Sequence, residues 1–421
     1  MEKKVAKEIK CTLPDLSELE INNVIEVLRS GWITTGPKVK LLEKKIAKFI
    51  ANEEINDTPR CVCLGSATAA LETALRLLGI GSQNGGSQDD EVITCAYTYT
   101  ASASVICHVG AKMVLVDCSN NDGSIEMDYD KLEAAINKNT KAIIPVDIAG
   151  VPCDNDKILE IVIKKKNLFN PSSKLQNAIG RVAIIDDAAH AFGATYKGKH
   201  IGDVSDFTAF SFHATKNFTT GEGGALLWKC IENIEDSEIY KQIQLYSLHG
   251  QSKDAFAKDQ LGSWEYDVIG PWYKCNMTDI MAAIGLGQLE RYPNMLTRRQ
   301  EIINKYDKAF KPLGIIPLDH YTNDRCSSGH LYITRVPGID RNTANKIIEE
   351  MAEYSISTNV HFKPLPMLTA YKNLEFDIKD YPNAYAKFEN EITLPLHTKL
   401  SDEEIDFIIE KYIEIVKKYT R

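Results

Sequence analysis

Ser211-Phe-His-Ala-Thr-Lys-Asn-Phe-Thr-Thr-Gly-Glu-Gly-Gly-Ala-Leu226 is the stretch on which the reading of this chain turns. It sets one lysine, Lys216, in a polar loop between two apolar runs, Phe207 to Phe212 and Ala225 to Trp228. Upstream, the strand-like run Val182 to Ile185 ends in Asp186-Asp-Ala-Ala-His190. A lysine able to form a Schiff base, with an aspartate able to pair with a ring nitrogen, is what pyridoxal phosphate (PLP) chemistry requires. A random loop lysine is a solvated charge. Lys216 differs in its context, with a buried strand before it and a tight Gly221-Glu-Gly-Gly224 turn after it.

Around that stretch, apolar runs alternate with helical periodicity. Strands are expected at Cys61 to Leu64, Glu91 to Thr94, Met113 to Val116, Ala142 to Val146 and Val182 to Ile185, with the two runs flanking Lys216. Helices are expected at Asp15 to Leu28, with Ile21, Val24, Ile25 and Leu28 on one side, and through Val39, Leu42, Ile46, Phe49 and Ile50. A third opens at Gly65-Ser-Ala-Thr68 and carries Leu71, Ala74, Leu75 and Leu78. Gly79 to Asp90 and Asn167 to Gly180 read as surface loops. The pattern predicts an α/β layer around a mostly parallel sheet.

Beyond about residue 260 the texture changes to that of a smaller α+β domain. Met281 to Phe310 reads as helical with a break near Pro293, Leu331 to Val336 as a strand, and Asn342 to Met351 as a helix. Ser401 and Glu404 form a capping box for a last helix. The expected division is a large domain over 1–262 and a smaller one over 263–421.

Composition narrows the partners. With 421 residues, 44% hydrophobic and 25% charged, the chain has globular proportions, and its net charge of -9 offers no general attraction to nucleic acid. No apolar run is long enough to cross a bilayer, and Met1-Glu-Lys-Lys-Val-Ala-Lys7 leads into no signal-peptide core. The ten cysteines lack finger-like His or Cys partners, so reduced thiols, no metal site and a cytoplasmic setting are expected.

Four parts must coexist to hold PLP. The Gly65-Ser-Ala-Thr68 turn before a helix offers N–H groups and a positive dipole end to a phosphate, although Ser and Thr are equally common as plain helix caps. Tyr97 and Tyr99 follow a strand end, where α/β sheets place ligands. Asp187 would be costly to bury without a cation such as a pyridinium, and Asp186 is an equal carboxylate by composition. Lys216 would lose its proton through desolvation and cationic neighbours.

Thr215-Lys-Asn-Phe-Thr-Thr-Gly-Glu-Gly-Gly224, preceded by Asp186-Asp-Ala-Ala-His-Ala191, closely resembles the DegT/StrS-type nucleotide-sugar aminotransferases, PLP enzymes of fold type I. Gly31-Trp-Ile-Thr-Thr-Gly-Pro37, Gly65-Ser-Ala-Thr-Ala69, Tyr97-Thr-Tyr99, Gly198-Lys-His-Ile-Gly202 and Tyr273-Lys-Cys-Asn-Met-Thr-Asp279 extend the resemblance through most of the chain. It implies that Lys216 bonds the cofactor and Asp187 holds its pyridinium. His190 would lie near the ring hydroxyl and Tyr99 would stack on the ring. Ala67, Thr68 and Ser211 would bind the phosphate, and Asn276 would reach it from the neighbouring subunit of a homodimer.

The resemblance further implies a nucleotide-sugar substrate and glutamate as amino donor. His213, in Ser-Phe-His-Ala ahead of the lysine, implies a C4 ketone. Tyr99 stands where relatives carry Trp or Phe, and Cys95 where proline is common. A sister group of dehydratases has histidine in place of the lysine, so Lys216 favours transamination. A non-catalytic regulator on the same scaffold, and a nucleotide-binding enzyme using the 221–224 turn, are the remaining rivals. His330, His361, Phe362 and Lys363 would face a sugar diphosphate or serve as structural residues.

Overall fold

The computed structural model describes residues 8–51, 58–253 and 265–420. Its centre is a seven-stranded sheet. The strands are β1 (Cys61–Leu64), β2 (Glu91–Cys95), β3 (Lys112–Val116), β4 (Thr140–Ile144), β5 (Ala183–Asp187), β8 (Phe207–Ser211) and β9 (Gly224–Trp228). Between β5 and β8 lie the short β6 (Thr195–Tyr196) and β7 (Lys199–His200). The sheet order is β1-β9-β8-β5-β4-β2-β3. Strands β2, β3, β4, β5 and β8 run parallel, whereas β9 is antiparallel to β8 and β1 to β9. This is the mixed, mostly parallel sheet expected of fold type I.

Both faces of the sheet are covered, so its strands are apolar on both sides. On one face Val62, Leu64, Ile185, Leu226 and Trp228 pack with the helix Ala67–Leu77, whose Leu71, Ala74 and Leu75 are fully buried. On the other, Cys61, Cys63, Ala225 and Leu227 meet Val39, Leu42 and Ile46 of the helix Pro37–Ala51. The second small sheet core, with β10 (Ile316–Pro317), β12 (Tyr332–Arg335) and β13 (Glu391–Leu394), buries the last helix, Asp402–Tyr419. The Ser401/Glu404 capping box is present in full. A third ribbon joins β11 (Arg325–Cys326) to β6 and β7.

Two expectations are corrected, and a third element gains a direction that its sequence left open. The helix Asp279–Phe310 runs on through Pro293. Packing on either side of the proline overrides the lost hydrogen bond: Tyr292 is buried with its hydroxyl on Phe192 O at 2.6 Å, and Met295 and Arg299 are buried beyond it. The stretch 167–180 is not all loop, since Lys174–Ile179 is a helix capped by Ser173 and a left-handed Gly180. In the helix Glu18–Ser30 the apolar side faces outward: Ile21, Ile25 and Leu28 are exposed, and Glu20 is buried instead. Glu20 is drawn inward by Gln288 and Arg291, each 2.9 Å from Oε1.

The boundary expected at 262/263, like the charged segment 1–7, falls outside the described residues. The helix Asp279–Phe310 belongs to both cores, with Ala282 and Leu286 on the large-sheet side and Ile302, Ile303 and Tyr306 in the small one. Among the described residues no helix is long and apolar enough to cross a membrane.

One close approach positions the site. A Cβ on Gly224 would lie 2.4 Å from Ser66 C and 2.6 Å from Ala67 N and Phe210 O, so β9 touches the start of the helix Ala67–Leu77 only because residue 224 has no side chain. Gly224→Ala is therefore expected to destabilise the fold by about 2 kcal/mol. Denaturant unfolding checks this, and an unchanged midpoint would show that the strand and helix spread at no cost.

Candidate active site

Ala67, Thr68, Tyr99, Asp187, His190, Ser211 and Lys216 line one cavity of about 460 Å³. It opens at the C-terminal ends of β2, β4, β5 and β8, where residues 98–99, Val146, Asp187 and Ser211 reach it. Asn276 is not among the lining residues. Its Nδ2 donates to Thr35 Oγ1 and its Oδ1 accepts from Lys274 Nζ within the same chain. Leu64 bridges Asn276, and Gly65 N–H donates to Cys275 O at 2.7 Å, so this segment is anchored directly behind the Gly65 turn.

At that turn Ser66 caps the helix, its Oγ accepting from Ala69 N–H at 3.1 Å. The N–H groups of Ala67 and Thr68 have no acceptor inside the helix and belong to its positive end. Ser211 pairs with Gly224 across β8–β9, and Gly224 packs against Ser66, so the helix end at Ala67 and Thr68 and the Ser211 side chain line the same cavity close together.

Strand alternation separates the two aspartates. Asp187 faces the cavity; Ser102 Oγ donates to its Oδ2 at 2.6 Å and Ala189 N–H to its Oδ1 at 3.2 Å. With the Ser102 proton committed to Asp187, the Thr98 hydroxyl, 2.8 Å away, donates to Ser102. Burial still raises the Asp187 pKa, opposed by these bonds and by Lys216. Asp186 is buried off the cavity, and neither of its carboxyl oxygens has a hydrogen-bond partner.

Lys216 lies in a turn closed by its own N–H on His213 O at 2.9 Å. His190 accepts the Ala149 N–H on Nδ1 at 3.1 Å, which leaves its proton on Nε2. Burial, and then Lys216, hold its ring neutral, with a pKa well below the usual value. Tyr99 is 59% exposed, with Phe362 at 5.7 Å between ring centroids.

His330, His361 and Phe362 also line the cavity, as does His213 at its rim beside Glu222; Lys363 does not. Sequence reading missed Ser102, a small residue within a helix that carries no periodic signal. It also missed Cys11 and Thr12, which line the cavity from a segment whose Ile9 bridges Ile356. Asp279 accepts from the N–H groups of Gly36, Lys38 and Val39, so two stretches singled out separately, 31–37 and 273–279, form one knot.

The donor set fits PLP. An anion corner, a buried carboxylate suited to a cation and a desolvated amine occupy one cavity, and together they define a fold type I PLP enzyme. Residues 14–412 match the model of the DegT/DnrJ/EryC1/StrS aminotransferase family, and the chain belongs to that family. It is 39% identical over 414 residues to the spore coat polysaccharide biosynthesis protein SpsC of Bacillus subtilis, covering 96% of each chain. Its fold matches the putative sugar aminotransferase Spr1654 from Streptococcus pneumoniae in its PMP form, at 56% identity and a TM-score of 0.91, over 97% of this chain and 99% of that one. Helicobacter pylori PseC, an aminotransferase involved in the biosynthesis of pseudoaminic acid, is 28% identical with a TM-score of 0.81, over 98% of this chain and all of that one (100%). The chain is thus a PLP-dependent aminotransferase.

Burial lowers the Lys216 pKa from its usual 10.5 to about 8, with Asp187 pulling the other way. Between those values the unfolded chain holds more protons than the folded one, so stability rises with pH across that interval. Near pH 7 the buried ammonium costs the PLP-free fold about 3 kcal/mol. PLP-free Lys216→Met is expected to melt above PLP-free wild type there, and the gap should close as pH climbs from about 8 toward 10.5. Thermal melts across that range decide it; equal melting temperatures near pH 7 refute the desolvated amine.

Proposed function

We propose that this enzyme moves the amino group of glutamate to the C4 keto carbon of a nucleotide-linked 4-keto-6-deoxy sugar. UDP-2-acetamido-2,6-dideoxyhexos-4-ulose is the first choice, and the product feeds surface glycan synthesis in the cytoplasm. The observation that carries the reading is the enclosed Lys216 amine opposite Asp187 in a cavity lined by an anion corner. The names of the relatives, which speak of sugars and polysaccharide, support the substrate class. Ten free cysteines suit a reducing compartment. Keto sugars on dTDP or GDP, a UDP-4-keto pentose or a 3-keto sugar are the alternatives.

In this reading PLP, when bound, supplies a ring that accepts the electrons of the carbanion formed beside the transferred nitrogen. Lys216 Nζ, with its proton affinity lowered by burial to a pKa of about 8, would take a proton from the reacting carbon and return it one position away. Asp187, fixed by Ser102 and Ala189, holds the proton on the ring nitrogen. His190 would offer its Nε2–H to the ring hydroxyl, and Tyr99 would cover the ring face. Ala67 and Thr68 N–H groups and the Ser211 hydroxyl bind the phosphate. The position of Ala67 and Thr68 at a helix end supplies the favourable field that a net charge of -9 does not.

Asn276 serves the partner's site in a homodimer. The outward apolar side of Glu18–Ser30 and the half-open Tyr99 support a covering second copy.

PLP-loaded protein incubated with glutamate and a panel of UDP-, dTDP- and GDP-keto sugars is expected to yield an amino sugar of matching mass. Lys216→Ala should lower turnover at least about a thousandfold with the fold intact. Persistence of activity in that variant removes the assignment. The shared site has its own check, since Lys216→Ala and Asn276→Ala proteins, each impaired alone, should regain activity when mixed and exchanged. The mixed dimer holds one site with both groups intact. Absence of recovery despite subunit exchange rules out the role of Asn276 across the dimer.

A further inference from the structure

The loop that carries Lys216 is tied to the smaller core by one side chain. Asn217 is buried, and its Nδ2 donates to Ser328 O at 2.7 Å. Its Oδ1 is therefore the acceptor facing His330 Nδ1, also at 2.7 Å. The His330 proton sits on Nδ1 and the lone pair on Nε2. His330 N–H donates to Ala149 O at 2.9 Å, while Ala149 N–H donates to His190 Nδ1. The His330 and His190 rings lie 4.3 Å apart between centroids, and Ser328 Oγ donates to His190 O at 2.6 Å. A single residue thus braces both the lysine loop and the histidine loop.

The backbone is shaped for this contact. Ala149 and Gly150 both take left-handed conformations, with φ of 61° and 84°. A Cβ on Gly150 would stand 2.1 Å from Ser328 Oγ, so no larger residue allows the approach. The titratable and charged groups acting on the His330 ring are His190, Lys216, Arg299 and His361. The ring is neutral because burial lowers its pKa well below the usual value.

We propose that His330 is a positioning residue: its Nδ1–H bond to Asn217 sets the direction in which Lys216 Nζ enters the cavity, and its ring holds His190 in place. The proposal rests on the reading of Lys216 as the cofactor-bearing amine, and it assigns the small core a share in aiming that amine. A phenyl ring at 330 keeps the packing and loses the bond. An asparagine restores an N–H where Nδ1–H stood.

The test uses PLP-loaded wild type, His330→Phe and His330→Asn. Borohydride reduction and peptide mapping of the wild type come first and check the underlying reading alone. The cofactor mass is expected on the Lys216 peptide, and mass elsewhere overturns both readings. His330→Phe is then expected to shift the pH midpoint of the visible absorbance band. It should also slow the reaction with glutamate about tenfold, with KM for glutamate within about twofold. His330→Asn should recover both. Wild-type midpoint and rate in His330→Phe, or equal impairment in the two variants, overturns the proposal. Asn217→Leu cuts the same bond from its other end and stands in if His330→Phe does not fold. The same midpoint shift supports the proposal, and an unmoved midpoint overturns it.

Discussion

Withdrawal of one ammonium group from water is the constraint on which the rest of this structure depends. Lys216 sits where burial strips its proton affinity, and the carboxylate that opposes this, Asp187, is itself buried. Neither group suits its surroundings in the absence of a ligand, and the fold holds them there through bonds to their neighbours. Ser102 and Ala189 fix the acid, and Asn217, on the residue after the amine, fixes the loop. Neutral imidazoles fill much of the remaining polar wall, so no extra cation competes with the amine for the carboxylate.

The sheet makes this arrangement possible by delivering groups from strand ends that are far apart in sequence. Alternation along β5 sends adjacent aspartates to opposite sides, so one serves the cavity and the other is sealed in the packing. The reversal of direction at β9 matters as much. It returns the chain from the lysine loop to the helix Ala67–Leu77 and packs residue 224 against the anion corner. The amine after β8 and the helix end after β1 are thereby brought together across the single intervening strand β9.

Much of this was legible in the residues. The strands of the large sheet are short apolar runs with polar ends, and their positions agree with expectation to within a few residues. Lys216 and Asp187 stood out because each ends or follows such a run. The choice between Asp186 and Asp187 was not legible, because alternation says that they diverge but not which way the cavity lies. That depends on Ser102, 85 positions earlier. The bond of His330 to Asn217 spans 113 positions and leaves no local trace. The outward direction of the apolar side of Glu18–Ser30 was not legible for a related reason: Glu20 finds its partners, Gln288 and Arg291, on a helix 268 and 271 positions away, and a charged residue in sequence gives no sign of them. Pro293 looked like a stop because local preference was the only information available, and packing on both sides outweighed it.

The helix Asp279–Phe310 has a mechanical meaning. A continuous helix embedded at one end beneath the large sheet and at the other in the small sheet couples the stability of the two cores. Loosening either end therefore disturbs a helix that both cores share. A direct coupling of this kind favours a cavity of constant shape.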